Sequence, residues 1–200
     1  MAMGRPRAFN IDEAVEQALQ VFLSKGYEGA SLADLTQAMG INPPSLYSAF
    51  GSKEGLFRKA LERYAGERGA CLSEALAQPT ARAVVEHLLR AVAGLQTGEH
   101  RPQGCLLVQG ALVCGDAAEP IREELASRRG ATQRALQVRL ERAKKEGDLP
   151  RDANPAALAL FVSILIQGMA VHASAGTRRE ELHQAVDVAL LAWETKSRPR

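Results

Sequence analysis

Apolar positions along the chain recur at spacings of three and four, the mark of helices with one buried face, and strand-like alternation is scarce. Ile11, Val15, Ala18, Leu19 and Phe22 form the first stripe. Asn10 stands before it as an N-cap with Glu13 three residues on, a capping-box pattern, and Gly26 follows Lys25 as a stop. Ser31 caps a short second helix with Leu32, Leu35 and Met39 facing inward, ended by Gly40. Asn42 caps a third, with Pro43 at its first position, where a missing N–H costs nothing, and with Leu46 and Phe50 as its apolar side. Ser52 caps a long fourth helix that runs past Tyr64 toward Leu76. The second and third, joined by Met39-Gly40-Ile41-Asn42, have the dimensions of a helix-turn-helix.

Beyond Pro79 the pattern predicts helices over 80–97, 104–115, 118–147, 153–175 and 178–196. No Asn-Gly or Asp-Gly separates alternating segments, so the fold class is all-α. The segment 155–176 contains no Asp, Glu, Lys or Arg, long enough for a membrane span. Its alanines, Ser163, Gln167, His172 and Ser174 favour a bundle helix buried in a soluble protein, and no membrane partner is expected.

Charge changes the picture only locally. The net charge is +2, and residues 1–66 carry seven basic and seven acidic side chains. Nucleic-acid binding there needs a local arrangement, such as the arm Arg5-Pro6-Arg7 and the group Lys53, Arg58 and Lys59. Cys71, Cys105 and Cys114 are odd in number and include no C-x-x-C pair, which argues against a disulfide framework or a zinc module and for a reducing, cytoplasmic setting. His87, His100, His172 and His183 have no metal-ligand spacing, and no G-x-S-x-G, P-loop or dinucleotide fingerprint occurs. Neither an enzyme nor a metal or other cofactor is expected.

The run Gly26-Tyr27, Ser31-Leu32, Asp34-Leu35, Ala38-Met39-Gly40, Leu46-Tyr47, Phe50 and Ser52-Lys53-Glu54-Gly55-Leu56-Phe57 resembles the N-terminal domain of TetR-type regulators over roughly residues 8–68. The resemblance implies a helix-turn-helix DNA-binding domain over 1–66 and a helical domain for effector binding and dimerisation over 67–200. It implies a homodimer on a double-stranded operator, most simply a repressor released by a small molecule.

On this reading Ser31 opens a helix whose first amides meet a phosphate, Tyr47 offers its phenol to another, and Lys53 adds a point charge on the same strand. Pro43 and Pro44 depart from the polar residues common there; they remove two backbone donors and present apolar surface to a thymine methyl. Base readout then falls on Asn42, Ser45 and Ser48, with Arg5 or Arg7 in the minor groove.

In the C-terminal half, Leu182, Val186, Ala189 and Trp193 repeat at four, three and four as a seam for dimerisation. With the charge-free helix they would make a symmetric four-helix interface, unless both helices simply finish the core of one chain. Leu88, Val92, Val113, Leu136, Phe161 and Leu165 are expected around an apolar effector pocket, with Gln109 and Gln167 as its hydrogen-bonding groups. An alternative signal is oxidation of Cys105 or Cys114, with Cys105 at the start of a helix read either as a sensing thiol or, preferably, as a small buried hydrophobe.

Overall fold

Four side chains divide the first third of the protein. Asn10, Ser31, Asn42 and Ser52 each accept backbone N–H bonds at a helix start, opening α1 (Ile11–Gly29), α2 (Leu32–Met39), α3 (Pro43–Phe50) and α4 (Lys53–Leu76). The two-way capping box forms at Ser31 with Asp34; Asn10 accepts from Asp12 and Glu13 N–H. Gly26, at φ 71°, breaks the helical path within α1 just after Lys25. This computed structural model describes residues 10–98, 102–112, 118–191 and 193. The expectations on Arg5, Arg7, Val113 and Cys114 lie outside them.

Among the described residues there is no strand, and five further helices follow: α5 (Ala81–Gln96), α6 (Leu106–Leu112), α7 (Glu119–Lys145), α8 (Pro155–Ser174) and α9 (Arg179–Leu191). The expected all-α class is thus what forms.

Two apolar clusters hold these helices. The first joins Leu19, Phe22, Leu35, Leu46, Leu56, Phe57 and Leu61 of α1–α4 to Leu106, Ile121 and Leu125 of α6 and α7. Phe22 meets Phe57 edge-on at 4.9 Å between ring centroids, and Tyr27 meets Phe57 at 5.0 Å. The second cluster sets α5 at the centre of α7, α8 and α9, with Cys71, Leu72 and Leu76 of α4 packed against it. A boundary at 66/67 therefore falls inside α4, which runs unbroken from one cluster to the other.

Gly55 sets how α4 leaves α3. A Cβ added there would lie 2.1 Å from the Phe50 carbonyl oxygen, a backbone atom that cannot swing aside. Gly55→Ala is expected to destabilise the protein by about 1–3 kcal/mol, the usual range for overpacking. A urea midpoint equal to that of the wild type would show that α4 can tilt freely.

Two expectations are corrected by packing. Leu182, Val186, Ala189 and Trp193 are all buried within the chain, and Leu182, Val186 and Trp193 join the cluster around α5. The expected seam packs into the core of this chain and leaves little of these side chains exposed. Conversely, α8 is not a buried helix: only 28% of its apolar window is covered within the chain. Leu160, Phe161, Ile164 and Val171 of α8 stand exposed, as do Val188 and Leu191 of α9. Length and composition alone would let α8 cross a membrane.

Candidate nucleic-acid interface and ligand cavity

The turn between α2 and α3 is built by local chemistry. Gly40 takes the left-handed conformation at φ 65° and returns its N–H to the Gln37 carbonyl, which ends α2 within one residue. Leu46 is fully buried and anchors α3 from below. Its other side is open: Asn42, Pro43, Pro44, Tyr47 and Ser48 are exposed and Ser45 is half-buried. Tyr47 leaves 48% of its surface to solvent, large for an aromatic side chain with nothing to bind.

Among the expected base-reading groups, the Asn42 Oδ1 already accepts the Ser45 N–H at 2.9 Å. The Asn42 amide NH2, the second lone pair of its Oδ1 and the hydroxyls of Ser45 and Ser48 are left for base edges. α3 contains no Lys or Arg, so charge comes from its neighbours.

Lys53 is the nearest such charge in sequence. Its ammonium lies 4.7 Å from the centroid of the Tyr27 ring and 3.4 Å from the Glu28 carbonyl oxygen. Partial burial lowers its pKa, and the Glu28 carboxylate works against that shift. These contacts hold the ammonium at the start of α4 instead of leaving it on a free tether.

Ser31 is exposed at the start of α2, but its hydroxyl donates to Asp34 Oδ2 at 2.7 Å and accepts the Asp34 N–H at 3.0 Å. Lys25 closes on Asp34 at 2.6 Å. The Lys25 bond first, then those from Ser31, hold the Asp34 carboxyl at about 2, below the ordinary 3.8. A lowered folded-state pKa stabilises the fold above 3.8, and that contribution is lost as the pH falls through about 2. Asp34→Asn is therefore expected to lower stability at neutral pH, with the gap to the wild type closing between pH 4 and pH 2 in urea unfolding. A gap independent of pH would assign the effect to the cap alone.

Behind this head lies a cavity of about 280 Å3 between α4, α5, α7 and α8 and the start of α6. Of the residues expected around a pocket, Leu88, Val92, Leu136 and Gln167 line it. Phe161 does not; it points outward on α8 and is 37% exposed. Leu165 packs against the second cluster instead. Gln109 stands outside the lining, its buried Oε1 without a partner among the described residues, while Gly104 lies beside its amide nitrogen.

The sequence reading missed the part of the cavity contributed by α4, Tyr64, Arg68, Cys71 and Leu72, and on α7 the residues Arg128, Arg129 and Thr132. Tyr64, Arg68 and Leu72 are four residues apart on one helical face, a signal present in the sequence. The buried Tyr64 hydroxyl accepts the Leu106 N–H at 3.1 Å and lies beside the Cys105 thiol. Burial pushes its pKa well up, keeping the phenol neutral. Cys105 is buried, and burial also pushes the Cys71 thiol up, opposite to what a reactive thiol requires.

Short polar links run between the N-terminal helices and their neighbours. Arg63 of α4 meets Glu16 of α1 at 2.5 Å. Arg58 of α4 meets Glu124 of α7 at 3.2 Å, and Glu124 also holds Arg128, a cavity residue, at 2.9 Å.

A short, capped helix with an open outer face, set after α2 by a tight turn and joined by one long helix to a second helical body around a cavity, is the arrangement of a helix-turn-helix DNA-binding protein. The chain belongs to the TetR family. Residues 14–60 match the bacterial regulatory proteins of the tetR family, and residues 77–189 match the tetracyclin repressor-like C-terminal domain. It is 34% identical to the HTH-type transcriptional repressor ComR of Escherichia coli K12 over 95% of this chain and 91% of that protein. The HTH-type transcriptional repressor BdcR of the same organism is 38% identical over 54% of this chain and 55% of its own length. Among solved structures, the TetR family transcriptional regulator CifR, a cysteine mutant complexed with 26-bp double-strand operator DNA, superposes with a TM-score of 0.89 at 45% identity. That match covers 94% of this chain and all of the other.

Proposed function

We propose that the protein is a homodimeric, cytoplasmic repressor that lays α3 in the major groove of an operator and leaves it when a small molecule fills the cavity. The open face of α3, held from below by Leu46 and flanked by Lys53, carries this reading. Tyr47 and Lys53 contact phosphates on either side of the groove, with the first turn of α2 at Ser31 against the backbone. Pro43 and Pro44 meet thymine methyls, while Asn42, Ser45 and Ser48 supply the polar readout. The DNA-bound relative CifR supports the choice of ligand.

A second copy completes the molecule. The stripe Leu160, Phe161, Ile164 and Val171, with Gly168 exposed among them, is apolar surface that one chain leaves open. Two such faces, with Val188 and Leu191 of α9 beside them, would form the isologous contact that a near-palindromic operator demands. The opposite side of α8 carries Ala159, Ser163 and Gln167 into the cavity, so one helix serves ligand and partner. A ligand favouring a subunit geometry that mismatches the operator releases DNA to the extent of its differential affinity.

Selection of genomic fragments by the purified protein, followed by footprinting, tests the reading. Tyr47→Ala and Lys53→Ala are expected to weaken selected and random DNA alike, and Lys53→Ala to reduce the salt slope by about one. Unaltered affinity in both variants would remove α3 and the start of α4 from the DNA.

A further inference from the structure

The cavity has a charge asymmetry that its apolar floor hides. Among the described residues its lining contains three arginines, Arg68, Arg128 and Arg129, and no aspartate or glutamate. Arg128 is neutralised by Glu124 at 2.9 Å, and Arg129 donates to the Leu107 carbonyl. Arg68 lies 4.4 Å from the centroid of the Tyr64 ring, and among the described residues no carboxylate pairs with it. Facing these cations are Leu72, Leu88, Val92 and Leu136. A half-buried guanidinium beside apolar walls offers a forked, charge-assisted bond to an incoming carboxylate. A neutral ligand leaves that valence unused, and a cationic one is repelled.

We propose that the effector is an apolar organic acid whose carboxylate binds Arg68 and whose hydrocarbon part lies against the leucine-rich wall. This rests on the cavity being the effector site, as proposed above. A volume of about 280 Å3 sits at the lower edge of the roughly 300–1,000 Å3 typical of ligand pockets and selects a small acid. Arg68 is carried by α4, the helix that begins at Lys53, so the pull of the carboxylate acts directly on the element that enters the DNA-facing head.

Three probes with one chain length and different charge test the proposal: decanoate, 1-decanol and decyltrimethylammonium, each titrated calorimetrically into the full chain below its micelle concentration. Decanoate is expected to bind about tenfold tighter than decanol, the scale of one charge-assisted contact, and the cation weakest. Arg68→Gln should bring decanoate down to decanol, Arg68→Lys should keep part of the preference, and Ser163→Phe, which fills the cavity, should weaken both. Decanol equal to decanoate in the wild type, or a ratio unchanged by Arg68→Gln, overturns the organic-acid class. If Ser163→Phe still weakens both probes in that case, the cavity stands as the effector site. Probes that bind nowhere, or bind regardless of Ser163→Phe, overturn the cavity reading as well.

Discussion

Ile164→Arg is expected to leave a folded chain that sediments as a monomer and has lost about 100-fold or more of its affinity for the DNA it selects. Ile164 is 57% exposed on α8, so in a single chain the guanidinium reaches water and the core is not disturbed. Across a symmetric contact the same residue meets its own image or a near neighbour, and two like charges are desolvated together at a cost of several kcal/mol. Two reading heads joined by that contact bind with the gain of an intramolecular second step, commonly 10²–10⁴-fold, and separate heads forfeit it. Val186→Arg is the contrasting arm. Val186 is 1% exposed and packs in the α5 cluster, so the charge is buried inside the chain and unfolding should precede any effect on assembly. Circular dichroism with sedimentation separates the two. A wild type that is monomeric at micromolar concentration, or an Ile164→Arg variant that remains dimeric with full affinity, would sink the proposed interface.

That contrast marks where sequence periodicity stops being informative. The helices of the N-terminal third were legible because each boundary is decided by one residue with a local job: Ser31, Asn42 and Ser52 satisfy N–H groups, and Gly40 turns left-handed. Leu46 read as core for the same reason, since only one face of α3 is apolar. The repeat Leu182, Val186, Ala189, Trp193 shows that α9 has an apolar face, yet a period is the same whether that face meets its own chain or a copy. α8 is harder still, because a helix without a charged face has no polar side to set its orientation, and Phe161 went to the wrong side of it. In the cavity, Leu88, Val92 and Leu136 follow from their stripes, whereas Arg68 and Arg129 belong to no apolar stripe and only the packing of α4 and α7 sets them beside apolar walls.

Arg139→Leu is expected to lower the unfolding free energy by about 3 kcal/mol, because the side chain ties the far end of α4 to α7. Arg139 is 9% exposed. Its Nε donates to the Leu76 carbonyl at 3.1 Å, and one terminal nitrogen donates to the carbonyls of Gln78 at 2.7 Å and Pro79 at 3.1 Å. The last carbonyls of a helix have no intrahelical partners, and here one guanidinium serves that of Leu76 together with two in the turn into α5. Leucine keeps the volume but strips three acceptors of their donor, and charge-assisted bonds of this kind are worth about 1.5–3 kcal/mol each before water recovers part of the loss. For a chain of this size the melting temperature should fall by on the order of 10 °C. Lysine is expected to recover only part, since a single ammonium cannot reproduce the fork that reaches both sides of the turn. The loss falls on the end of α4 opposite Lys53, so Arg139→Leu protein kept well below its melting point should retain DNA affinity. A melting temperature within 2 °C of the wild type would show that water caps α4 as well as Arg139 does.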